Sequence, residues 1–315
     1  MSDNKKDLRV VFMGTPDLSA KIFRALHEAG YNIVGVFTQP DKKVGRKQLI
    51  EKSPVRILAE ENNIPVFTPA RLDEFATNEL SALQPDLIVL IAYGKILPQT
   101  ILDLPKYGAI NIHPSILPKY RGPSPIQNAL LNGDEITGTT IMKMDASMDT
   151  GDILAQETIT IENQETYSEL ENKSSDLSIK TLLKILPRWV AGEITPQKQD
   201  SSAATYCKMI QKNDGQIDWQ DSAQNIYNKY RAFQNWPGIF TTWNGKRLKL
   251  NKINFTADIS STHSNGEIFQ IDDRICVQAA DGAIELHEVQ LEGKPSMQTS
   301  NFLNGYPKFI GGKLN

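Results

Sequence analysis

Cysteine is nearly absent: the 315 residues hold only Cys207 and Cys276, far apart and without a CxxC or Cys/His spacing. A structural zinc is therefore not expected, nor any other metal. Histidine is almost as scarce, and of the four residues His27, His263 and His287 stand isolated and read as surface or packing residues. Positive charge is not in excess, with 34 Lys and Arg against 37 Asp and Glu and a net charge of −3. That excludes a uniformly basic nucleic-acid binder and leaves room for a local basic patch. Long apolar runs are missing as well. Leu8–Gly14 is too short and wrongly flanked for a signal peptide or a membrane span, so a cytoplasmic protein with no membrane partner is expected. No GxGxxG follows the first strand-like run, where Gly14-Thr15-Pro16-Asp17 stands instead, and this disfavours a dinucleotide cofactor. Internal repeats and low-complexity tracts are not evident.

What is present is ordinary for a folded, soluble chain: 40% hydrophobic and 23% charged residues. The length exceeds the usual single domain, so a catalytic domain with a smaller companion is expected. Arg9–Met13 reads as a strand ending at Gly14-Thr15-Pro16, and Asp17–Ala29 carries helical spacing at Leu18, Ile22, Ala25 and Leu26. Ile33–Phe37 reads as a second buried strand, and Ser53-Pro54 as the cap and first residue of another helix. Asp86–Ala92 is continuously apolar after its first residue, as a central parallel strand covered on both faces requires. Ala109–His113 follows as the next strand. The alternation predicts an α/β catalytic domain over 1–190, with a doubly wound, mostly parallel sheet. Residues 191–208 collect Gly192, Pro196, Asp200, Ser201 and Ser202 without apolar periodicity and read as a linker. In 209–315 a helix near Ser222–Phe233 precedes short strands punctuated by Asn244-Gly245, Asn265-Gly266, Asp281-Gly282 and Glu292-Gly293, which predicts a small β-barrel.

The chemistry concentrates at Asn111-Ile112-His113-Pro114. Residues two apart in a strand share a face, so Asn111 and His113 project together while Ile112 turns away. Pro114 ends the ladder and places the pair at the carboxyl edge, where open α/β sheets bind ligands. The pair suits acyl transfer to an amine. An α-amine has an ordinary pKa of ~7.7–8.0, so part of it is already neutral near pH 7. Asn111 can donate to the oxygen that becomes negative, and His113 can carry a proton between nitrogens. A carboxylate would orient the histidine, and the loop Met144–Asp152 offers three: Asp145, Asp149 and Asp152. Spacing alone does not choose among them.

Thr38–Ser53 is the second notable stretch. Lys42, Lys43, Arg46, Lys47 and Lys52 face only Asp41 and Glu51 there. It follows the second strand on the same edge as the catalytic pair, where it could grip a phosphate-bearing substrate.

Several motifs together resemble the methionyl-tRNA formyltransferase family of folate-dependent enzymes. They are Phe12-Met13-Gly14-Thr15-Pro16-Asp17, Val36–Asp41 with Gly45-Arg46, and Asn111–Gly122. Met144-Asp145 with Met148–Asp152, Ile217-Asp218-Trp219, and Arg231-Ala232-Phe233 with Trp236-Pro237 complete the set, so the resemblance covers nearly the whole chain. It implies a Rossmann-like formyltransferase domain followed by an OB-like, tRNA-contacting domain. Asn111, His113 and Asp149 would be the catalytic trio, and Ser115, Ile116, Leu117 and Pro118 the folate-binding turn. Tyr93, Gly94, Lys95, Ile96 and Leu97 would wall the pterin pocket. Lys42, Lys43, Arg46 and Lys47 would reach the tRNA. The implied formyl donor is 10-formyltetrahydrofolate as co-substrate, and the acceptor is the α-amine of initiator methionyl-tRNA, handled by a monomer. The Asn111–Gly122 signature is shared by formyltransferases acting on amino-sugar nucleotides, some of which also carry an OB-like appendage. The basic loop favours tRNA over that alternative, and three filled catalytic positions weigh against an inactive folate- or RNA-binding module.

Overall fold

Strand β1, Arg9–Gly14, is buried from Val10 onward, and its alternate residues feed two separate cores. Val10 and Phe12 join one cluster with Ile22, Phe23, Leu26, Leu182, Ile185 and Leu186. Val11 and Met13 join another with Phe37, Leu80, Tyr93 and Leu97. A strand with both faces apolar needs helices on both sides, and the computed structural model, which describes residues 4–44, 49–256 and 263–315, supplies them. Asp17–Glu28, Pro54–Glu61 and Tyr167–Val190 carry the first cluster's helical members, and Glu74–Ala82 carries Leu80 of the second.

The remaining strands of this layer are β2 (Asn32–Phe37), β5 (Val66–Phe67), β6 (Leu87–Ile91), β7 (Ala109–His113), β8 (Ile136–Lys143) and β9 (Ile153–Thr160). A separate two-stranded hairpin, β3 (Lys42–Val44) with β4 (Leu49–Glu51), occupies the stretch after β2. The seven-stranded sheet runs β5-β2-β1-β6-β7-β8-β9. It is parallel from β5 to β7 and antiparallel at β7·β8 and β8·β9. The order grows outward from β1 in one direction and from β6 in the other, which is the doubly wound pattern. Ser53 caps the helix Pro54–Glu61 as its spacing predicts, accepting from Arg56 N.

The chain divides into two compact units. The first comprises its described residues up to Pro125, with Ile136–Thr160 and Glu171–Lys208. Residues 191–208, expected as a linker, lie within it. Gln197 and Ile153 exchange backbone hydrogen bonds, Thr205 N donates to Pro118 O and Cys207 N to Arg121 O.

The second unit holds Met209–Asn315 together with Ile126–Glu135 and Ile161–Leu170. Those two earlier segments fall outside the contiguous partition expected at 190 and 209. Buried Arg231 accounts for one of them, donating through Nη1 to Glu165 O at 3.0 Å and Glu162 O at 3.4 Å. Ser222 caps the helix Ala223–Ala232. Beyond it come β10 (Ile239–Trp243), β11 (Lys246–Thr256), β12 (Ile268–Ile271), β13 (Arg274–Gln278), β14 (Ala283–Leu291) and β15 (Met297–Gln298). The antiparallel path is β10-β11-β14-β13-β12, with β15 on β14. Asn244 and Gly245, both at positive φ, make the two-residue turn joining β10 to β11. Residues 312–315 bridge the two edge strands: Leu314 N donates to Gly266 O and Ile268 N to Gly312 O, while Thr242 and Asn315 bond reciprocally. The sheet is thereby barrel-like, as its turn signals predict.

Candidate active site

β7 separates its side chains by parity. Ile110 and Ile112 enter the first core cluster, while Asn111 and His113 face the side of the sheet that Ala109 shares with Tyr93 and Leu97. Both polar residues are buried, 7% and 4% exposed, so each needs a partner. His113 Nε2 lies 2.8 Å from the carbonyl oxygen of Tyr120. Asn111 Nδ2 donates to Asp149 Oδ1 at 3.4 Å, and the same oxygen stands 3.7 Å from His113 Nδ1. The other carboxylate oxygen, Oδ2, accepts from Gly122 N at 2.8 Å. One carboxylate thus touches the amide of Asn111 and faces the free nitrogen of His113. The 3.7 Å gap is too long for a hydrogen bond, so the link to His113 is electrostatic.

The three loop aspartates separate by partner. Asp145 folds onto its own turn, accepting from Ser147 N at 3.0 Å and from Thr150 Oγ1 at 2.7 and 2.8 Å. Asp152 contributes its backbone oxygen to Lys143 N. Asp149 is the one whose carboxylate reaches Asn111 and His113. It sits at φ 54°, a left-handed conformation that costs roughly 1 kcal/mol for a residue with a side chain. Its turn is closed by Gly151, where a Cβ would meet Lys143 O at 1.8 Å.

The turn Ser115–Pro118 is held by groups on the antiparallel strands. Thr140, paired with His113 across β7 and β8, donates to Ser115 O at 2.7 Å and accepts from Leu117 N at 3.0 Å. Gln156 donates to Leu117 O at 2.7 Å. Ser115 and Leu117 are buried, Ser115 Oγ donates to Lys119 O at 2.6 Å, and the Leu117-Pro118 peptide is cis.

Tyr93–Leu97 follows β6. Gln39 Nε2 and Thr15 Oγ1 anchor Tyr93 O at 2.9 and 3.3 Å, and Gly94 turns at φ 81°. Tyr93 and Leu97 are buried, Ile96 is exposed, and Lys95 donates to Pro69 O. Burial pushes the Tyr93 phenol up to about 12 and lowers Lys95. The Tyr93 hydroxyl and Asn111 Oδ1 are buried without a hydrogen-bond partner among the described residues. Two such atoms on one side of the sheet fit a polar ligand that brings its own donors and acceptors.

Of the basic loop, Lys42 is exposed at the start of β3. Lys43 lies on the same strand, while Arg46 and Lys47 fall outside the described residues. Lys52 is paired with Glu60 at 2.6 Å, and Arg56 bridges Asp41 at 2.9 Å and Glu60 at 2.8 Å. Two cations near the base of the hairpin are therefore already engaged.

Residue spacing does not reveal Thr140, Gln156 and Gln199, which surround the site from distant segments, or the part played by Arg121 within the Asn111–Gly122 stretch. The one local signal is Thr140, on a strand whose polar run Thr137–Thr140 is buried. Among the described residues no cluster of His, Cys, Asp and Glu is arranged to hold a metal ion.

The chain is similar to known proteins along most of its length. The formyl transferase family matches residues 8–186, and the formyl transferase C-terminal domain matches 209–307. A methionyl-tRNA formyltransferase of Caldicellulosiruptor saccharolyticus is 47% identical over 302 residues, spanning 94% of this chain and 96% of that protein. One from Geobacter sulfurreducens is 41% identical over 309 residues, with 98% and 96% covered. Among solved structures, the N-formyltransferase of Helicobacter canadensis in complex with folinic acid and dTDP-3-aminofucose superposes with a TM-score of 0.67. It is 20% identical, with 89% of this chain and 98% of that one covered, a likeness of fold.

Proposed function

The chain belongs to the formyl transferase family, and from that membership we propose that it moves the formyl group of 10-formyltetrahydrofolate to the α-amine of methionine on initiator tRNA. The observation that carries the reading is the meeting of Asn111, His113 and Asp149 at the carboxyl edge of β7, in a chain 41–47% identical to methionyl-tRNA formyltransferases over nearly its full length.

The reduced folate, when bound, supplies the formyl group as an amide of its N10 nitrogen. Ser115–Pro118 and Tyr93–Leu97 would hold it, and the unpartnered Tyr93 hydroxyl and Asn111 Oδ1 fit a heterocycle with donors and acceptors along its edge. Asn111 Nδ2 has a second hydrogen beyond the long bond to Asp149, and it donates to the oxygen on which negative charge develops. His113 Nδ1 takes a proton from the attacking amine and returns one to the departing nitrogen. Asp149 steadies the imidazolium so formed. A unit-charge pair about 4 Å apart is worth roughly 4 kcal/mol gross near a protein surface. Burial of Asn111 and His113 keeps bulk water from competing for the same groups.

Lys42, Lys43, Arg46 and Lys47, together with the unit built on Met209–Asn315, are assigned to the tRNA. The protein is read as a cytoplasmic monomer. Among the described residues no helix is long and apolar enough to cross a membrane.

Labelled 10-formyltetrahydrofolate offered in parallel with initiator Met-tRNA, elongator Met-tRNA and a 4-amino sugar nucleotide tests the reading. Label on initiator Met-tRNA at least a hundredfold faster than on the other two is expected. Preferential labelling of the sugar nucleotide would overturn it.

A further inference from the structure

Gln199 lies 50 residues beyond Asp149, in a stretch without regular secondary structure, yet every polar valence of its side chain is used. Its amide nitrogen donates to Asp149 O at 2.9 Å and to Gly151 O at 2.8 Å. Its amide oxygen accepts from Arg121 Nε at 3.1 Å and Nη2 at 2.8 Å. Arg121 is only 2% exposed, and its guanidinium also donates from Nη1 to Tyr206 Oη at 3.4 Å.

The two ends of this bridge are the two loops that build the site. Arg121 lies between Tyr120, whose carbonyl meets His113 Nε2, and Gly122, whose N–H holds Asp149 Oδ2. Asp149 and Gly151 form the turn that carries the carboxylate. A turn held at a positive φ relaxes unless its surroundings over-determine it, and the Gln199 amide grips both carbonyls flanking Thr150. Resting on the catalytic reading of Asp149 given above, we propose that Gln199 is a positioning residue: it locks the Asp149 turn to the Arg121 loop so that the carboxylate faces His113 and Asn111 together.

Alone, the Arg121 contact admits a simpler role, that Gln199 merely satisfies a buried guanidinium. The two roles use opposite ends of one side chain, so a single atom change separates them. Gln199→Glu keeps an acceptor for Arg121 and strengthens that pairing, while removing both donors to the Asp149 turn. If Gln199 served only Arg121, glutamate would sustain the rate.

The experiment measures single-turnover formyl transfer at saturating folate and initiator Met-tRNA, with the Michaelis constant of each substrate and the thermal midpoint. The proteins are wild type, Gln199→Glu, Asp149→Asn and the double variant. For Gln199→Glu a rate loss on the order of 10- to 100-fold is expected from misplacement of the carboxylate, with both Michaelis constants within about threefold. In the Asp149→Asn background the same change should cost less than about twofold, because the group it positions is gone. Gln199→Met, which removes donors and acceptor at similar length, should show the same rate loss and guards against a folding defect peculiar to the carboxylate. A wild-type rate in Gln199→Glu or Gln199→Met overturns the proposal, as does a full multiplicative loss in the double variant. A wild-type rate in Asp149→Asn alone would remove the catalytic reading beneath it, a distinct outcome.

Discussion

The ring of His113 and the main chain of Tyr120 meet at 2.8 Å, Nε2 against a carbonyl oxygen. A carbonyl only accepts, so Nε2 keeps its hydrogen in both charge states and Nδ1 is where the proton comes and goes. That nitrogen faces Asp149 Oδ1. That choice of tautomer follows from a backbone contact seven residues away.

Histidine labelled with 15N reads the tautomer directly. In the neutral imidazole of His113 the Nε2 resonance is expected in the protonated range and Nδ1 in the unprotonated range. A neutral form with its hydrogen on Nδ1 would show that Tyr120 does not set the tautomer.

Gly151→Ala should disable the site through the backbone. The new Cβ would fall 1.8 Å from Lys143 O, and a main-chain oxygen in a strand has little freedom to retreat. Overpacking of this kind costs roughly 1–3 kcal/mol or more, and here the shift lands on the turn bearing Asp149. Denaturant midpoint and turnover together check it: both should fall, with turnover down at least tenfold. An active, fully stable alanine variant would mean the loop holds its shape by other means.

Much of the first unit is readable from residue order, for a physical reason. The sheet is built from short apolar runs bounded by Gly and Pro, and Asn111 with His113 obeys the two-residue strand period. Asp149 is not readable from spacing, because Asp145, Asp149 and Asp152 share the composition of a turn and differ only in which distant groups they meet. Gln199 is hidden by the same logic. Its surroundings, Gly192, Pro196 and a run of polar residues, look like a linker, whereas the chain there bonds to Ile153, Pro118 and Arg121. The transfer of Ile126–Glu135 and Ile161–Leu170 to the second unit also escapes a contiguous reading, since contacts such as Arg231 to Glu165 O link distant stretches of the chain.

Charge reversal on the hairpin should act on tRNA and leave the folate alone. With Lys52 and Arg56 held by Glu60 and Asp41, the phosphate-binding role proposed for this stretch falls to Lys42, Arg46 and Lys47. Changing all three to Glu is expected to raise the Michaelis constant for initiator Met-tRNA at least tenfold. The salt dependence of binding should become shallower as phosphate contacts are lost. Unchanged tRNA kinetics across a salt series would remove the hairpin from recognition.

Neither thiol should report on the site at neutral pH. Burial pushes the Cys207 thiol up, and it pushes Cys276 up to about 11 from an ordinary 9.0. A raised thiol pKa means less thiolate at any pH below it. Alkylation of Cys276 in the native protein at pH 9 should therefore be about fiftyfold slower than for a free thiol, before any steric shielding. As pH rises from about 9 toward 11 the unfolded thiol ionises first, so the contribution of Cys276 to stability is complete below that window and declines through it. Alkylation of both native cysteines at the rate of the denatured chain would contradict their burial.

The roles of Asn111 and His113 face their most direct test in a single-turnover measurement of formyl transfer, with donor and initiator Met-tRNA saturating and folate affinity measured in parallel. Losing one oxyanion donor typically raises a barrier by ~2.7–4 kcal/mol, so Asn111→Ala should react about 10²- to 10³-fold more slowly. His113→Ala should be at least as slow, with folate affinity within about threefold of wild type for both. A single-turnover rate equal to wild type in either variant, or a slow rate explained wholly by lost folate binding, would contradict the chemistry assigned to this pair.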